Sequence, residues 1–108
     1  MISIEKMEGA LNYLAESEEE WSNLRASKDL ETKRLEITLA SGIIDSNESS
    51  VAAKKVDSLN STEYKETVEQ YQQLLEAYYL IDAKRTRAIT TIEVWRSVNS
   101  SRNKGNVV

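Results

Sequence analysis

The sequence predicts an all-α protein: an elongated antiparallel helical hairpin or small bundle with coiled-coil packing. Three observations carry that prediction. Pro is absent from the 108 residues, and Gly occurs only three times. Charged residues make up 30%, a composition typical of long helices. A heptad then runs unbroken from Tyr64 to Asn99. One of its positions reads Tyr64, Tyr71, Tyr78, Arg85, Ile92, Asn99, and the position three residues on reads Leu74, Ile81, Ala88, Trp95. A repeat of seven held this long specifies a helix that packs side by side with another.

The elements follow in chain order within one helical domain, residues 1–100. Ser3 can cap a first helix over about 3–15, whose Ile4, Met7, Leu11 and Leu14 form one apolar stripe. Ser17-Glu18-Glu19-Glu20 has the form of a capping box, so the helix is expected to break near Glu16–Ser17 and restart over about 18–41. A single continuous helix is the rival reading. The stripe of the restarted segment is less regular, because Arg25, Lys28 and Thr32 interrupt it, and Ser41-Gly42 is expected to end it. Residues 42–61 are rich in Ser, Asn and Asp, with helical spacing at Val51, Ala52, Val56 and Leu59. A short helix over about 50–58 is expected there, with a loop as the alternative. Asn60 or Ser61 then caps a last helix over about 62–100. Arg87–Trp95 is β-branched enough to be a strand by propensity, but the heptad passes straight through it. Residues 101–108 are expected to form a flexible tail.

Composition also bounds function. Cys and His are both absent, which removes a thiol nucleophile, a disulfide framework and the usual zinc ligands. Lacking the commonest acid–base residue near neutral pH, the chain is expected not to be an enzyme, and neither a metal nor a cofactor is expected. Adjacent Glu residues at 18–20 point in different directions on a helix, which argues against a divalent cation there. No apolar stretch approaches the roughly 20 residues of a membrane span, and MISIEKMEG lacks the apolar core of a signal peptide. A cytoplasmic location is expected, with neither a membrane nor a small-molecule substrate as partner.

The net charge of −4 hides a split: residues 1–70 hold 8 Lys+Arg against 15 Asp+Glu, and residues 71–108 hold 6 against 3. Two antiparallel segments can neutralise each other in this way, and cations also complement a helix C-terminus. The alternative is a binding surface. Lys84, Arg87, Trp95, Arg96, Arg102 and Lys104 combine cations with an aromatic ring, as single-strand binders do. Glu18, Glu19 and Glu20 would present a negative face to a protein partner. Tyr64, Tyr71, Leu74, Tyr78, Ile81, Arg85, Ile92 and Trp95 are the packing set. A buried Arg85 needs a carboxylate, with Glu18, Glu31 and Glu36 as candidates. Tyr79, Leu80 and a second row of Val68, Leu75 and Ile89 widen the stripe, so a homo-oligomer is expected.

Both ends carry a resemblance. Ile92-Glu93-Val94-Trp95-Arg96-Ser97-Val98-Asn99-Ser100-Ser101-Arg102, followed by Gly105-Asn106-Val107, resembles the ending of a group of small, uncharacterised helical bacteriophage proteins. Glu5-Lys6-Met7 with Ala10-Leu11-Asn12-Tyr13-Leu14-Ala15-Glu16 is similar to their N-termini. The resemblance covers about a third of the chain and leaves residues 42–61 unmatched. It implies a phage or prophage source, a bacterial host cell, and a setting among early-region recombination and replication genes, with no activity to carry over residue by residue. The resulting expectation is an accessory factor in phage DNA recombination or replication that binds single-stranded DNA or a DNA-bound protein. The alternatives are a protein-binding modulator of a host factor and a scaffolding coiled coil.

Overall fold

Three helices account for nearly the whole chain in the computed structural model, which describes residues 2–106 and their side chains through 102. They are α1 (Ile4–Asp45), α2 (Val51–Leu59) and α3 (Thr62–Asn106). Among the described residues there is no strand, and the β-branched run 87–95 lies inside α3. The seven-residue periodicity places its apolar members on one face, which outweighs a weak local preference for extended backbone. Helix contacts group the chain into two compact units. One joins residues up to Ser22 with those from Tyr79 onward, and the other holds Asn23–Tyr78. In both, α1 and α3 run antiparallel. Ser17 meets Arg85 and Trp21 meets Asp82 in the first unit. Lys28 lies over Tyr78 in the second, where Thr32 Oγ1 is 3.5 Å from Tyr71 Oη.

Side-chain hydroxyls start all three helices. The Lys6 amide donates to Ser3 Oγ (3.2 Å), the Ala53 amide to Ser50 Oγ (3.1 Å) and the Tyr64 amide to Ser61 Oγ (3.2 Å). Each bond satisfies one of the amide donors left open at a helix N-terminus. Ser61 also donates to the Ser58 carbonyl at 2.7 Å, and the Asn60 side-chain amide donates to the Val56 carbonyl at 3.0 Å. The turn between α2 and α3 is closed by these two bonds.

Three expectations need correction. The expected break near Glu16–Ser17 is absent, and α1 is one helix of 42 residues. The Ser17 hydroxyl donates to the Tyr13 carbonyl at 2.6 Å, a bond to the preceding turn, so it does not cap a new helix. Ser41-Gly42 does not end α1 either, which continues to Asp45 with no glycine at positive φ. Gly42 instead makes room for α2: a Cβ there would meet the Ser58 Cβ at 2.8 Å and its Cα at 3.2 Å. Finally, α3 extends to Asn106, so residues 101–106 are helical where a flexible tail was expected, and residues 107–108 lie outside the described residues.

The first unit is centred on Ala10, Ala88 and Ile92, with Met7, Tyr13 and Leu14 packed around them. Two alanines in that cluster let the helix backbones approach closely. Ile81 is buried in the same unit. In the second unit the fully buried positions are polar. Ser58 is 1% exposed and donates to the Leu39 carbonyl at 2.8 Å, which ties α2 to α1. Thr67 donates to the Glu63 carbonyl at 2.8 Å within α3. Tyr64, Tyr71, Leu74 and Tyr78 are half-buried, as are Leu24, Leu35 and Leu39 across from them.

Candidate interaction surface on α3

The heptad sets which α3 side chains turn inward. Ile81, Ala88 and Ile92 are buried, while Arg85, Trp95 and Asn99 are half-buried. Arg85 is therefore a cation on the packed face, where a missing partner is costly. Its partners are not carboxylates. Arg85 Nη1 donates to the Leu14 carbonyl and to Ser17 Oγ, both at 2.8 Å. The guanidinium lies 4.7 Å from the centre of the Trp21 ring, a cation–π contact. The Trp21 indole N–H donates to Asp82 Oδ1 at 3.0 Å. The expected pairing of Arg85 with Glu18, Glu31 or Glu36 is thus overturned. Glu18 is exposed, Glu31 pairs with Arg34 at 3.4 Å, and Glu36 pairs with Lys33 at 3.8 Å. A helix carbonyl with a spare lone pair and a back-bonded hydroxyl do the work assigned to a carboxylate. Neither has a sequence signature, which is why Leu14 and Ser17 were missed.

The basic set divides. Lys84, Arg87, Arg96 and Arg102 are exposed, and among the described residues none of them forms an ion pair. Trp95 is half-buried and shares a shallow depression with Ile2, Val98, Asn99 and Arg102. At about 100° per residue, Lys84, Trp95 and Arg102 form one strip along α3. Arg87 lies roughly 60° to one side of it and Arg96 roughly 120° to the other. Trp95 and Arg102 line a common hollow, and Lys84 is about 16 Å up the helix from Trp95. Arg87 and Arg96 point away from each other, so the six residues do not form one cluster. Lys104 lies outside the described side chains.

Glu18, Glu19 and Glu20 are exposed on α1, and no described ion pair includes them. Three ion pairs, Lys28–Asp29, Lys33–Glu36 and Arg34–Glu31, lie within residues 28–36. The Glu18–Glu20 carboxylates and the exposed cations of the first unit therefore carry opposite charge, and no described ion pair joins them. The second unit adds a cleft of about 570 Å³ where the end of α1 meets α2 and the start of α3. Its lining includes Asp45, Asp57 and Glu63 with several hydroxyls and no cation. Ser46 donates to Asp57 Oδ2 at 2.8 Å at its edge. Among the described residues no group of three carboxylates is placed to hold a metal ion. No helix there is long and apolar enough to cross a membrane. No protein-family model matches the chain, and no curated protein and no solved structure matches it either.

Proposed function

We propose that the protein is an accessory factor in phage DNA recombination or replication, and that it binds single-stranded DNA, or a protein bound to it, through the α3 strip of Lys84, Trp95 and Arg102. The observation that carries this reading is the half-exposed Trp95 ring beside Arg102, on a helix whose exposed cations have no ion-pair partner among the described residues. Such cations keep their full attraction for phosphate, and a partly exposed indole is a ring on which a base can stack. The resemblance of both chain ends to small phage proteins supports the setting. Fluorescence polarisation of a labelled single-stranded oligonucleotide tests it. Two phosphate contacts, from Lys84 and Arg102, predict an affinity that falls about 7-fold between roughly 50 and 200 mM salt. Lys84→Glu with Arg102→Glu should abolish that dependence together with the binding. No binding at about 50 mM salt removes the reading.

A second reading, a modulator of a host protein, is favoured by the exposed Glu18–Glu20 carboxylates, which no described ion pair engages. Its test is a pull-down from host lysate. One dominant partner, lost on Glu18→Lys with Glu20→Lys, supports this reading over DNA binding.

A further inference from the structure

The outward face of α1 in the second unit carries a second heptad that the hairpin does not use. Steps of four and three link Ala26, Leu30, Lys33, Ile37, Ala40 and Ile44. All six are exposed, and Leu30, Ile37 and Ile44 stand at 61%, 65% and 80% exposure. On the helical wheel this row lies roughly opposite Leu24, Lys28, Glu31 and Leu35, which turn inward and are half-buried. The row is about 27 Å long. A branched or long aliphatic residue at every a position and alanine at two of three d positions is the pattern of a helix seam. Among the described residues nothing covers it.

We infer that this row is the interface of a parallel, in-register dimer, in which α1 of one copy packs along α1 of a second. Charge selects the orientation. With Leu30, Ile37 and Ile44 at a, Asp29 and Glu36 fall at g and Arg34 falls at e. In a parallel pair the g residue of one helix faces the next e residue of the other, so Asp29 meets Arg34 of the second copy twice across the dyad. In an antiparallel pair g faces g and e faces e, which sets carboxylate against carboxylate and arginine against arginine or serine. Asp29 and Arg34 remain largely exposed despite their local partners, at 73% and 55% of the side chain. Lys33 at d bends toward Glu36 at 3.8 Å and can keep its ammonium at the rim. In a parallel pair the two Lys33 stems face each other across the dyad, which weakens the pair unless both ammonium groups stay at the rim. The inference uses none of the basic α3 residues, so it stands or falls apart from the DNA-binding proposal.

Sedimentation equilibrium up to about 200 µM tests it on the full chain. The wild type should approach twice the 12.3 kDa chain mass. Leu30→Glu with Ile37→Glu should return it to one chain mass with the far-UV circular dichroism unchanged, because both side chains are exposed in the fold. The chain has no cysteine, so cross-linking reads the direction. Leu30→Cys and Ile44→Cys variants, mixed and mildly oxidised, should give 30–30 and 44–44 disulfides. A monomer mass for the wild type, an unchanged mass for the Glu variant, or a 30–44 disulfide as the main product overturns the inference. The first of these would leave the face to a different protein's helix.

Discussion

Replacing Gly42 with alanine separates close packing from helix propensity, because the two predict opposite signs. Gly42 sits inside α1, where Ala is better than Gly by about 1 kcal/mol. Propensity alone therefore predicts a more stable protein. The new methyl group, however, would sit 2.8 Å from the Ser58 Cβ and 3.2 Å from its Cα, and would collide with its Oγ. Ser58 cannot swing away cheaply: it is 1% exposed and its hydroxyl is bonded to the Leu39 carbonyl at 2.8 Å. Forced overpacking costs about 2 kcal/mol. Displacing the hydroxyl costs about another 1 kcal/mol. After the propensity gain the net loss is about 2 kcal/mol, or a fall in Tm of about 10 °C. Urea melts followed at 222 nm measure it. A second variant, Gly42→Ala with Ser58→Gly, should lose less than the two single losses combined, because the clash and the bond disappear together. If Gly42→Ala raises stability by about 1 kcal/mol, the close approach of α2 to α1 is wrong.

Arg85→Met keeps most of the side-chain volume and removes both 2.8 Å bonds. It should cost about 2 kcal/mol in the same melts, since hydrogen bonds from a charged donor are worth about 1.5–3 kcal/mol each and loss of a partly desolvated cation returns some of that. Unchanged stability would mean that the guanidinium faces water. Ser50→Ala removes the cap of α2 and should cost about 1 kcal/mol, with faster hydrogen exchange at the Ala53 amide as its local signature. Exchange at Ala53 that stays unchanged would assign the start of α2 to other contacts.

Periodicity and hydroxyl placement made much of the architecture legible. The α3 heptad crosses a run that propensity would make extended, and the helix forms there because its inward positions are filled by Ile81, Ala88, Ile92 and Trp95. Ser3 and Ser61 cap as their spacing suggests. The α1 stripe looked irregular because two stripes overlap on it. Leu24, Leu35 and Leu39 face α3 or α2, whereas Leu30, Ile37 and Ile44 face outward. Lys28, which interrupts the apolar spacing, belongs to the inner stripe, with its ammonium 5.0 Å from the centre of the Tyr78 ring. Gly42 and Arg85 were illegible for a different reason. Glycine after serine looks the same whether it ends a helix or admits another backbone. The partners of Arg85 are a main-chain carbonyl and a serine, and nothing in composition marks a carbonyl. The basic surface was legible as residue types but not as a surface, since helical geometry sends Arg87 and Arg96 in different directions.

Ser17 receives contradictory instructions from near and far. Its own neighbours spell a helix start, and Arg85, on the far side of the hairpin, bonds to the hydroxyl that such a start would use. A chain emerging from the ribosome exposes Ser17-Glu18-Glu19-Glu20 well before Arg85 exists. The interior of the first helix thus carries a start signal whose hydroxyl is engaged by the Tyr13 carbonyl and by Arg85 instead.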